Sequence, residues 1–190
     1  LLAICTFDSN LADAVMPLAG TFICFYLLFQ PKMASIADIS ASILGLFYTG
    51  YLPSYWVRLR AIDTANFSNL PLGGYFPPSI TAFIGRSNFS ALPLGLGATL
   101  LTLMCIWAAD IGAYFVGKYF GKTPLSGISP KKTVEGAIFG ITASIAVGIA
   151  VAYYINLPDF YLTGAALGSL IGIASLLGDL TESMLKRDAG

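Results

Sequence analysis

Long apolar runs that carry almost no charge decide what this chain can become. Five can be traced, at about 11–29, 35–52, 92–120, 133–155 and 160–185. A helix needs about 20 residues to cross a hydrocarbon layer, so each run is near or above the length of one crossing. Only 11% of the residues are charged and 56% are hydrophobic, whereas a water-soluble domain carries roughly a quarter charged residues. Too few polar side chains are present to coat a soluble globule. The runs are too long for strands and show no apolar/polar alternation, which excludes a soluble β fold and a porin-like barrel. The expected fold is therefore all-α: a polytopic transmembrane helix bundle of about five spanning segments, forming a single domain over residues 1–190.

The charges are sparse but placed. Ten basic and ten acidic residues cancel, so bulk electrostatics give no reason to expect nucleic-acid binding. Histidine is absent, which excludes histidine-based triads and HExxH zinc sites. Cys5, Cys24 and Cys105 lie far apart in apolar sequence and read as small hydrophobes. Lys32, Lys118, Lys122, Lys131, Lys132, Lys186 and Arg187 fall on one side if the crossings alternate, and that side is then cytoplasmic or its organellar equivalent. Arg58, Arg60 and Arg86 fall opposite, in a polar connection from Pro53 to about Ala91. Pro31, Pro53, Pro93, Pro130 and Pro158 are expected near segment ends, where proline harms a helix least. Gly136 and Gly140, and Gly164, Gly168 and Gly172, repeat at four-residue spacing, as helix-packing stripes do. The sequons at Asn66 and Asn88 read as accidental. The first residue is Leu1 rather than Met, and the chain is expected to be a fragment cut at both ends.

Ionisable residues inside apolar helices are costly and face the bundle interior or a water-filled cavity. Three places qualify. Asp110, Tyr114 and Gly117 share a helical face at i, i+4, i+7, and a carboxylate there wants a metal ion or a lysine. In the stretch from Ser129 to Gly136, Ser129 is expected to cap a helix with Pro130 in its first turn. Free N–H groups at that helix start, with Lys131 and Lys132, would then form an anion site. At the end of the fifth run, Asp179, Glu182, Ser183 and Lys186 share one face, where carboxylates could hold Mg²⁺ together with substrate phosphates.

These residues carry a resemblance. Ala-Asp110-x-Gly-Ala-Tyr, Ser129-Pro-Lys-Lys-Thr-x-Glu-Gly136 and Gly178-Asp179-Leu-x-Glu-Ser-x-Leu-Lys-Arg187 stand in the order and spacing seen in phosphatidate cytidylyltransferases, the CDP-diacylglycerol synthases. The similarity is strong over residues 107–190 and weaker over 35–60. The last match is the opening half of the family's signature. That signature continues with a Lys-Asp pair, a His-Gly-Gly stretch and an acidic end that completes the family's metal site. This chain stops at Lys186-Arg187-Asp188-Ala189-Gly190, before those positions.

The resemblance implies transfer of a cytidylyl group from CTP to phosphatidate, giving CDP-diacylglycerol and pyrophosphate in phospholipid biosynthesis. It implies Mg²⁺, with a second cation left open, a multi-pass location in a bacterial inner membrane or an organelle membrane such as the plastid's, and no nucleic-acid partner; a homodimer is also left open. Asp179 is expected as metal ligand, with Lys186 and Arg187 beside it as catalytic or phosphate-holding groups. Ser129, Lys131, Lys132, Thr133 and Glu135 are expected to form the nucleotide site, with Glu135 and Glu182 orienting rather than reacting. Asp110 has two readings, metal ligand and nucleotide orienter, and both stay open. The rival from another class is a transporter or channel using the same buried charges.

Overall fold

The structure, a computed structural model, describes residues 9–30, 35–62, 93–127 and 129–188. Cys5, Pro31, Lys32, Asn66, Arg86, Asn88, Ala189 and Gly190 lie outside the described residues. Among the described residues every regular element is helical, as the apolar runs require. The described residues group into two compact units: 9–62 with 93–96 form the first, and those from 97 to 188 the second.

In the first unit, α1 (Ser9–Leu28) precedes α2 (Ile36–Gly45), a π-helical turn (Leu46–Tyr51) and α3 (Leu52–Ala61). Ser35 starts α2 with a capping box: its hydroxyl accepts from the Asp38 N–H, and the Asp38 carboxylate accepts from the Ser35 N–H at 2.8 Å. The second apolar run does not stop at Pro53 as expected. The helix continues through it to Ala61. A proline inside an α-helix has no N–H to donate, and its ring crowds the carbonyl one turn back. The wide turn just before Pro53, in which the Leu52 N–H reaches back to the Phe47 carbonyl, gives the chain room for that ring. Asp13 of α1 and Arg58 of α3 pair at 2.6 Å, and the Tyr51 hydroxyl donates to the same carboxylate. Gly95 packs on the end of α3, where a Cβ would fall 2.6–2.7 Å from three carbonyl oxygens.

Among the described residues, three helices are long and apolar enough to cross a membrane: α4 (Leu94–Phe120), α5 (Val134–Tyr154) and α6 (Phe160–Asp188). Their side chains are sorted by size in the reverse of a soluble protein. Gly136, Gly140, Ser144, Gly148, Gly164, Gly168 and Gly172 are buried, while Trp107, Phe115, Ile138, Leu162 and Leu170 are exposed. Small residues between helices and large apolar ones outside suit a lipid surround, in which packing rather than apolar burial drives association. The glycine stripes are the packing devices expected. A Cβ on Gly168 would lie 2.6 Å from the Ser144 carbonyl oxygen, and the Ser144 hydroxyl donates to the Gly168 carbonyl at 2.8 Å. Cys105 is fully buried and donates to the Ser144 carbonyl at 3.5 Å, so it packs as a small hydrophobe.

Neighbouring helices in the second unit run antiparallel. Gly112 meets Ala143 while Gly117 meets Thr133, and Gly148 meets Gly164 while Gly172 meets Ile141. The end of α5 is closed by a Schellman motif. Asn156 adopts the left-handed conformation (φ 53°), its N–H reaches the Tyr153 carbonyl, and the Leu157 N–H reaches that of Ala152. This alternation gathers the C-terminus of α4, the N-terminus of α5 and the C-terminus of α6 at one end, where the lysines lie.

Candidate active site

The segment between α4 and α5 is a small hairpin. Pro124 and Thr133 bridge, the Leu125 N–H donates to the Lys132 carbonyl at 2.7 Å, and the Val134 N–H donates to the Thr123 carbonyl at 2.9 Å. Ser129 to Lys132 form a turn closed by the Lys132 N–H on the Ser129 carbonyl. Pro130 takes the second position of that turn, for which its fixed φ is suited. This corrects the expected helix start: Ser129 does not cap α5. Thr133 does, with extended backbone and a side chain that accepts from the Gly136 N–H at 3.2 Å. The N–H groups of Val134 and Gly136 are thereby occupied, so the helix start offers less to an anion than expected. The lysines carry that role instead.

One cavity of about 440 Å³ opens among α4, the hairpin, α5 and α6. Asp110, Tyr114, Gly117 and Lys118 come to it from α4, and Lys131, Lys132 and Thr133 from the hairpin. Ser175 and Asp179 come from α6. Asp110 lies ten residues before the end of α4, about 15 Å down the helix, so the cavity runs from the lysine end into the apolar layer. Its small walls, Gly136, Gly140 and Gly172 among them, leave the space that larger side chains would fill.

Each carboxylate in the cavity has one side-chain partner among the described residues. The Ser175 hydroxyl donates to Asp110 at 3.2 Å. The Lys132 ammonium reaches Asp179 at 2.5 Å. Lys118 lies near Tyr114, with its ammonium 3.5 Å from the phenol oxygen. Neither Lys118 nor Lys131 pairs with a carboxylate among the described residues. Three lysines against two aspartates leave the lining with an excess positive charge. No group of three or more acidic, cysteine or histidine side chains able to hold a metal forms among the described residues.

The remaining expected residues stand outside the cavity lining. Glu135 accepts from the N–H groups of Lys122 and Thr123 and from the Thr123 hydroxyl. Lys186 pairs with Glu182 at 2.6 Å, one turn apart on α6. Arg187 donates to the Gly127 carbonyl at 3.0 Å. Ser129 sits at the hairpin turn. Ser175 was missed by the sequence reading, although it precedes Asp179 by one helical turn and so shares its face. Lys118 entered that reading only as a topology charge.

The sequence profile of the Cytidylyltransferase family matches residues 1–190. The chain belongs to this family. A phosphatidate cytidylyltransferase of Synechocystis sp. is 59% identical over 193 residues, covering all of this chain and 64% of that protein. Phosphatidate cytidylyltransferase 4, chloroplastic, of Arabidopsis thaliana is 39% identical over 190 residues, covering all of this chain and 47% of that protein. A phosphatidate cytidylyltransferase of Pseudomonas aeruginosa is 44% identical over 113 residues, 58% of this chain and 42% of that protein. The chain thus spans about half to two thirds of the length of the first two relatives. No solved structure matches it. The cytidylyltransferase match gives the rival transporter reading no support.

Proposed function

We propose that this cytidylyltransferase-family chain carries the site that transfers a cytidylyl group from CTP to phosphatidate. The observation that carries the reading is the convergence of all three sequence motifs on one cavity with surplus lysine charge. A phosphate oxygen of phosphatidate attacks the α-phosphorus of CTP. The bond from that phosphorus to the β-phosphate bridging oxygen breaks, and pyrophosphate leaves with its electron pair. The nucleophile is already anionic near neutral pH, so no general base is needed and the lack of histidine is no obstacle. The difficulty is to bring two anions together, which calls for fixed positive charge and in-line positioning.

Lys131 and Lys132 would hold the triphosphate and the departing pyrophosphate, with Lys118 adding charge from α4. Lys186, in the last turn of α6, would attract the phosphatidate headgroup. The donor set suits Mg²⁺ in its usual form: a hard cation held through one or two carboxylates plus substrate phosphates and water. Asp179 and Asp110 each keep acceptor capacity beyond their single partners and would hold the ion. When bound, the ion supplies charge neutralisation to the reacting phosphates. The lipid's acyl chains stay in the bilayer and only its headgroup approaches the lysine end. That end is proposed to face the cytoplasm of a bacterial cell, or the stroma if the membrane is a plastid's.

The test uses protein expressed from its whole gene and purified in detergent, with phosphatidate, Mg²⁺ and CTP labelled at the α-phosphate. Label is expected in the lipid fraction, and EDTA or Asp179→Asn is expected to remove it. A folded protein that transfers no label would overturn the proposal.

A further inference from the structure

The hairpin that brings Lys131 and Lys132 to the cavity is fastened from outside the cavity at two points. At its entry, the Glu135 carboxylate accepts from the Lys122 N–H at 3.2 Å, the Thr123 N–H at 3.2 Å and the Thr123 hydroxyl at 2.9 Å. Near its tip, the Arg187 guanidinium donates to the Gly127 carbonyl at 3.0 Å across 60 residues of sequence. Neither Glu135 nor Arg187 lines the cavity, while Leu125, Lys131, Lys132 and Thr133 do. Between these fastenings the hairpin has little ladder of its own among the described residues: one bridge and two hydrogen bonds beside it. So short a ladder is marginal by itself, and its two tethers come from the first turn of α5 and the last turn of α6.

We propose that Arg187 and Glu135 are positioning residues that hold the lysine hairpin over the cavity and thereby set its affinity for the triphosphate. This rests on the reading of the cavity as a CTP site. Fixed ammonium groups bind a polyanion more tightly than mobile ones because less ordering remains to be done on binding. Arg187 then acts through Lys131 and Lys132 rather than by touching either substrate. Its loss is felt by CTP and not by phosphatidate.

The experiment compares wild type, Lys131→Ala, Arg187→Gln, the double variant, Arg187→Lys and Glu135→Gln, all expressed from the whole gene. Arg187→Gln is expected to raise the KM for CTP about tenfold, as for loss of one charge-assisted hydrogen bond, and to leave the KM for phosphatidate within about twofold. In the Lys131→Ala background the same change should add less than about twofold, since the lysine it positions is gone. Arg187→Lys keeps a charged donor and should restore most of the CTP affinity. Limited trypsin digestion reads the hairpin without any substrate: cleavage after Lys131 and Lys132 should be several-fold faster in Arg187→Gln. Should that variant fail to fold, Glu135→Gln loosens the same hairpin at its entry and should give the same pattern. A rise in the phosphatidate KM instead, fully multiplicative effects in the double variant, or an unchanged cleavage rate would overturn the proposal. Wild type that binds no CTP would overturn the nucleotide reading, with the digestion still reporting on the tether.

Discussion

Asp13 and Asp179 are carboxylates of similar exposure, 48% and 52%, yet they are held in opposite ways. Asp13, in the first unit, takes both guanidinium nitrogens of Arg58, at 2.6 and 3.2 Å, and the Tyr51 hydroxyl as well. The Arg58 guanidinium also lies 4.9 Å from the centre of the Tyr55 ring. Asp179, in the second unit, has Lys132 as its one direct ion-pair partner among the described residues, with the Lys186 charge interacting from farther off, and further lysines line the same cavity. Burial does not separate the two; saturation does. A forked pair fastens one helix to another, and its charge is spent there. A single ammonium–carboxylate contact at a cavity wall can be exchanged when an anion or a cation arrives.

The largest effect is expected at Asp179, where Asp179→Asn should lower turnover about 10²- to 10³-fold, the scale of losing one group that stabilises charge in the reaction. The folded yield should be unchanged, and the lipid-labelling assay checks it. Next is Lys131→Ala, expected to raise the KM for CTP about tenfold, or ~1.4 kcal/mol, with less effect at high salt because the site's charge is screened. A titration of rate against CTP at two ionic strengths measures both. Ser175→Ala removes one neutral donor from Asp110 and should cost about threefold in kcat/KM. Asp13→Asn sharpens the contrast from the other side. It should lower the melting temperature in detergent by a few degrees and leave kcat/KM within about twofold. A large loss of catalysis from Asp13→Asn at unchanged stability would erase the distinction between the two pairs.

The helices were legible because an apolar run of bilayer length has few alternatives to a helix. The ends of α5 and α6 fell within a few residues of expectation, and the glycine stripes packed as their spacing implied. Pro53 was misread because a proline signals a helix end only when the preceding turn is α-helical; a π turn tolerates it, and no residue type announces one. Ser129 was misread because Ser-Pro suits a helix start and a β-turn equally. The choice was made by Thr133, which both pairs with Pro124 and caps α5. Asp110, Lys131, Lys132 and Asp179 were visible as charges out of place in apolar sequence. Ser175 was not, since a serine in a membrane helix costs little and draws no attention until the carboxylate across the cavity is seen.

On the reading proposed above, the cavity's lysines hold the triphosphate of CTP. Lysine acylation footprinting of the purified protein, with and without Mg²⁺ and CTP, tests it most directly because it needs no turnover. CTP should protect Lys131 and Lys132, and to a lesser degree Lys118, while Lys122, which does not line the cavity, keeps reacting at its original rate. Equal labelling of Lys131 and Lys132 in the presence and absence of saturating CTP would mean that these lysines do not hold the triphosphate.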